Sequence, residues 1–168
     1  MNDLSITRVI RTQRLRAQTF APFGQVLDNN GTPEKIINRG LCRRFHDRAA
    51  LAFGDGRAGL SIFDAAPRML PYDLDLLERH PDGSQAFVPM HQHEWLVTVA
   101  PDENGVPGEP LAFVAEPGQA INFDRGVWHG VLTPLNEPGL FAVIDRIGPG
   151  DNLEEHPLDM PYRIERGE

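Results

Sequence analysis

Punctuation by turn residues sets the tightest limit on what this chain can fold into. Its 15 prolines and 16 glycines are scattered singly, with no period, among short apolar runs. Proline fixes φ and removes a donor, and glycine opens the left-handed region, so both tend to end regular elements. The runs between them suit strands of about four to eight residues better than helices of ordinary length. Hydrophobic residues make up 40% of the chain, enough to close a core rather than leave the chain disordered. The pattern predicts an all-β domain, a sandwich or a small barrel, with at most short helical turns.

Apolar runs and alternations predict strands over 7–13, 24–27, 42–46, 58–65, 84–90, 95–100, 111–115, 119–123, 128–132 and 139–147. Residues 15–20 read as one helical turn closed by Pro22 and Gly24. The 70–80 segment fits two periods. Leu74 and Leu76 share a strand face with Glu78 and His80, whereas Leu74, Leu77 and Glu78 share a helix face. Close bracketing by Pro71 and Pro81 favours a strand. Asp102-Glu-Asn-Gly105 is a hairpin loop. Beyond Asp151 the chain is polar, with two further prolines, and 151–168 reads as a tail on the surface or on a partner subunit. No repeat or linker divides residues 1–168, so one domain is expected.

Charge and cysteine content narrow the function classes. A formal net charge of −8 argues against nucleic acid or an anionic membrane surface as partner. It leaves room for a small anion, which needs only one or two local arginines. The single cysteine, Cys42, cannot form an internal disulfide and fits a reducing compartment. Residues 1–15 carry charges throughout, without the apolar core of a signal peptide, and no run reaches membrane-spanning length. A cytoplasmic protein is the expectation.

Two stretches carry chemistry. His91-Gln-His93-Glu-Trp95 heads the β-branched run to Ala100. Continued as a strand, it puts His91, His93, Trp95, Val97 and Val99 on one face. Two imidazoles two residues apart can grip one metal ion if a third ligand comes from elsewhere. His129 is the candidate third ligand. It closes the second stretch, in which Gly118, Asp124, Gly126 and His129 follow the spacing of the second cupin motif, with Asp124 where proline is usual. Gly126 permits a tight turn there, and the histidine then emerges on the inner wall. The first cupin motif is half present: Gly83 precedes His91-x-His93, but the later glutamate is missing. The resemblance implies a single-domain, cupin-like jelly-roll β-barrel.

A closer resemblance spans about residues 20–152. Leu77-Glu-Arg-His-Pro-Asp-Gly-Ser-Gln-Ala-Phe-Val-Pro89, Gly126-Val-Trp-His129, Asp145-Arg146 and Arg44-Phe-His-Asp47 resemble the ureidoglycolate lyase family, formerly described as ureidoglycolate hydrolase. The resemblance implies a homodimeric enzyme of allantoin and purine nitrogen catabolism. It would split (S)-ureidoglycolate into glyoxylate and urea with a divalent ion, nickel by resemblance. Glu78, His80 and His129 are then the candidates for catalysis. Arg44, Gln85 and Arg146 are candidates for holding the substrate, and His91, His93 and His129 for the metal. Plainer roles compete with these. Glu78 and His80 could pair with Arg79 on the surface, Asp145 and Arg146 could form a strand-end salt bridge, and Trp95 and Trp128 are expected in the core. The rival functions are a metal-dependent cupin oxygenase or isomerase acting on a small carboxylate through the same three histidines, and a cupin that binds a small ligand without turnover.

Overall fold

The computed structural model describes residues 8–168. In chain order it contains β1 (Arg8–Arg11), β2 (Gln13–Arg14), α1 (Ala17–Phe20), β3 (Gly24–Leu27), β4 (Lys35–Ile37), a 3-10 turn (Asn38–Gly40), β5 (Cys42–Arg44), β6 (Arg57–Asp64), β7 (Tyr72–Arg79) and β8 (Gln85–Pro89). There follow β9 (Trp95–Ala100), β10 (Asp102–Glu103), β11 (Val106–Pro107), β12 (Leu111–Ala115), β13 (Ala120–Phe123), β14 (Trp128–His129), β15 (Thr133–Pro134), β16 (Leu140–Ile147) and β17 (Glu154–Glu165). The larger sheet runs β1-β17-β7-β14-β9-β12-β2, with β15 also on β9, and the smaller runs β3-β13-β8-β16-β6. Two hairpins, β4–β5 and β10–β11, stand outside both sheets. The sheets face each other as a jelly-roll barrel, as the turn punctuation and the motif spacing predict.

Side-chain parity places the core. On β9 every residue is buried. Trp95, Val97 and Val99 face the barrel interior, together with Phe20, Phe87, Phe113, Phe123, Phe141 and Val143. Leu96 and Ala100 face the other way, onto Leu74, Leu77, Trp128 and Ile164. A strand covered on both faces has no polar side to show, which is why this run is continuously apolar. The interior rings meet edge-on or tilted, as at Trp95–Phe141, 4.9 Å apart. Burying each such side chain stabilises the fold by roughly 1.5–3 kcal/mol. Both tryptophans are buried, as expected.

Two expectations change. The 151–168 segment is not a tail. Its central twelve residues form β17, which pairs antiparallel with β7 and parallel with β1. Its prolines sit where a strand tolerates them: the register shifts between Pro157 and Tyr162, a span that includes Pro161. The polar composition hid a strand whose one fully buried residue is Ile164. The second change concerns the His-x-His stretch. Residues 90–93 bend between β8 and β9, and the strand starts only at Trp95. His91 and His93 therefore lie outside the alternation of the strand. The 70–80 segment is strand, as its prolines suggest.

Candidate active site

Three short elements converge at one end of the barrel. On β14, Trp128 lies opposite Ala100 and faces outward, while His129 lies opposite Val99 and faces the interior. His129 is also the cross-strand partner of Glu78 on β7, so both side chains share the inner face. His80 follows directly after β7. The turn into β14 is fixed by Gly126, whose φ of +77° suits glycine and whose N–H donates to the His80 carbonyl. The His80 and His129 ring centroids are 5.2 Å apart. One ligand atom from each of Glu78, His80 and His129 lies within 4.8 Å of the other two. Arg79, between Glu78 and His80 in sequence, turns outward. It pairs with Asp102 and Glu154 and covers the Trp128 ring, which leaves Glu78 and His80 free of it.

Hydrogen bonds fix the tautomers. His80 Nδ1 lies 2.8 Å from the Asn152 carbonyl oxygen, and His129 Nδ1 lies 2.9 Å from the Gly130 carbonyl oxygen. A carbonyl only accepts, so each Nδ1 carries a proton, and in the neutral ring Nε2 presents a lone pair. Both Nε2 atoms are buried without a partner among the described residues. Burial pushes the His129 imidazole down to about 3; the Gly130 contact opposes this and His80 adds to it. Burial likewise raises the Glu78 carboxyl above its ordinary value, opposed by His80 and helped by Glu155. Two buried Nε2 atoms and the Glu78 carboxylate thus gather three potential ligand groups in one place. A cation is what such a set fits, and imidazole with carboxylate suits a divalent transition ion.

Comparison with known proteins fits this arrangement. Residues 7–165 match the family model described as ureidoglycolate lyase. A ureidoglycolate lyase of Rhodobacter capsulatus is 55% identical over 90% of this chain and 94% of its own length. Ureidoglycolate lyase 2 of Rhizobium meliloti is 47% identical over 87% and 91%. A ureidoglycolate lyase of Chelativorans sp. is 45% identical over 94% and 96%. This chain belongs to the ureidoglycolate lyase family.

Within this member of the ureidoglycolate lyase family, the residues singled out from sequence separate into groups. Glu78, His80 and His129 come together. His91 and His93 do not join them, and no cluster containing those two with His129 forms among the described residues. They precede Trp95 at one end of β9, whereas His129 sits beside Val99 near the other end. Four strand residues separate those ends by about 13 Å. The rings of His91 and His93 stack on each other at 5.6 Å, and His91 lies edge-on to Phe141 at 4.8 Å. An oxygenase built on these three histidines therefore has no ligand set.

Gln85 is buried on β8, facing inward beside Phe87, and lies opposite Phe123 on β13. Phe123 in turn stacks on the His129 ring at 4.3 Å. Gln85 thus belongs to the same end of the barrel. Arg146 points the other way. Its guanidinium is held by Asp55 and by the Pro149 carbonyl. Arg44 is exposed on the β4–β5 hairpin, away from the barrel sheets. Neither arginine faces the Glu78, His80 and His129 group within this chain. A surface cleft of about 630 Å³, lined by Asp28, Phe45, Arg48, Val88 and Gln92 among others, also lies away from that group. Donor chemistry rather than cavity size marks the site.

One participant, Asn152, escapes the sequence reading. Asn152 supplies the carbonyl that orients His80, and its side chain accepts from the Asp82 N–H. Nothing in the sequence announces a backbone contact of that kind. Asp145 was legible. Phe141, Val143 and Asp145 alternate along β16, and the first two are interior residues.

Proposed function

We propose that this chain is a ureidoglycolate lyase that eliminates urea from (S)-ureidoglycolate to give glyoxylate, with Glu78, His80 and His129 holding a divalent ion. The observation that carries the reading is the pair of buried Nε2 atoms, without a partner among the described residues, grouped with the Glu78 carboxylate in a chain of this family. Nickel is the candidate ion from the resemblance, and the two-imidazole, one-carboxylate set suits it. When bound, a divalent ion supplies Lewis acidity that neutralises the substrate carboxylate and lowers the pKa of the hydroxyl.

The elimination moves one proton from oxygen to nitrogen and breaks one C–N bond. Glu78 would take the hydroxyl proton at the carboxylate oxygen that does not hold the ion. As the new C=O forms, the C–N electron pair leaves with the ureido nitrogen, and the same carboxyl returns the proton to that nitrogen. No net proton or oxidant is consumed. His129 stays neutral, and both His80 and His129 orient the site through their fixed Nδ1–H contacts. Gln85, buried at the same end, contacts the substrate. A positioned base and acid each contribute about 10²–10⁴-fold.

The protein works as a homodimer in the cytoplasm. Exposed Leu60 and Ile62 on the edge strand β6 support self-association. No helix among the described residues is long and apolar enough to cross a membrane. The test is to incubate the protein with racemic ureidoglycolate and assay glyoxylate, with and without chelator, beside elemental analysis. Stereoselective glyoxylate release that chelation removes is the expected result. A rate no higher than spontaneous decay, with metal supplied, would falsify the proposal.

A further inference from the structure

The smaller sheet contributes a second polar pair to the same end of the barrel. Asp145 follows Phe141 and Val143 on the inner face of β16, and Gln85 precedes Phe87 on the inner face of β8. Gln85 Nε2 donates to Asp145 Oδ2 at 3.2 Å. Gln85 is 6% exposed, and its Oε1 is buried with no donor among the described residues. A buried amide oxygen without a donor is costly unless something supplies one. This pair therefore offers acceptors, one strand from the Phe123 ring that stacks on His129.

Resting on the lyase reading, we propose that Asp145 and the Gln85 carbonyl form the subsite that recognises the ureido end of the substrate. A ureido group carries three N–H donors, which match these acceptors. The negative Asp145 also repels the substrate carboxylate, so it orients that end away, toward Glu78, His80 and His129. Gln85 holds Asp145 in place through its amide N–H. The pair thereby selects a carbamoyl group over an acyl group of the same size.

Two unreactive ligands isolate this step. N-carbamoylglycine and N-acetylglycine share a carboxylate and differ at the terminal –NH2. Their inhibition constants are measured on the metal-loaded enzyme, as wild type, Asp145→Asn and Gln85→Leu. Wild type should favour N-carbamoylglycine by about tenfold or more, as expected for hydrogen bonds to a charged acceptor. Asp145→Asn should abolish most of that preference and raise KM for ureidoglycolate more than it lowers kcat, while N-acetylglycine still binds. Gln85→Leu should reduce the preference in the same direction. A general folding defect would weaken both ligands equally. If the wild type releases glyoxylate but both variants keep its preference, the subsite is overturned. If the wild type releases none, the lyase reading itself fails.

Discussion

Histidines stand at both ends of this barrel, and the two ends treat them oppositely. At the first, His80 and His129 each donate Nδ1–H to a backbone carbonyl, which leaves Nε2 of the neutral ring with its lone pair in the group that includes Glu78. At the second, His91 Nδ1 accepts the backbone N–H of His93 at 3.1 Å. Its proton must then sit on Nε2 while the ring is neutral, and a protonated nitrogen cannot ligate. Burial lowers the His91 pKa, helped by His93, which keeps the ring neutral. Two imidazoles close in sequence make a poor site here, and two far apart make a good one. What decides is which nitrogen the backbone has claimed.

The largest expected effect breaks that comparison directly. Replacing His80 or His129 with alanine should cost about 10²-fold or more in kcat and strip the bound metal. His91→Ala and His93→Ala should each cost less than about tenfold, because their rings pack on each other and on Phe141 rather than in the Glu78, His80 and His129 group. Equal losses at the two ends would erase the distinction. Phe141→Ala comes next and affects stability instead. Phe141 is fully buried between Phe87, Trp95 and His91, so its removal should destabilise by about 3–5 kcal/mol in urea denaturation.

A smaller effect follows from the depressed pKa of His129. In metal-free protein the unfolded chain gains a proton on this side chain near its ordinary value of 6.5, while the folded chain stays neutral down to about 3. Its contribution is therefore complete above pH 6.5 and is lost as the pH falls from there toward 3. Between about pH 7.5 and pH 5.5 the loss should be about 1 kcal/mol. Urea midpoints at the two values check this, and His129→Gln should flatten the slope. A slope unchanged by that substitution would mean that the ring is not held neutral. The smallest effect is expected at Asn152. Asn152→Ala removes the acceptor for the Asp82 N–H and should cost about 0.5–1.5 kcal/mol, with a few-fold loss of activity through a looser His80.

Much of the barrel could be read in advance because its signals are local. Single prolines and glycines delimit the strands, and apolar alternation on β16 and the continuous run on β9 mark the core. Gly126 before His129 works for the same reason, since a positive φ is a local demand. The reading failed where the deciding fact is long-range. β17 looks polar because only parts of it are covered, and its pairing with β7 and β1 is not written in its own residues. The His91-x-His93 pair satisfied a spacing rule, but its loop bends before the strand begins. Choosing between the two sets of histidines needed hydrogen-bond partners such as the carbonyls of Asn152 and Gly130, which spacing does not encode.

The most direct test of the account is an anomalous-scattering map from crystals of the nickel-loaded protein, collected at the nickel edge. One strong peak is expected among Glu78, His80 and His129, and none beside His91 and His93. A peak at the latter pair, with the Glu78 group empty, would contradict it.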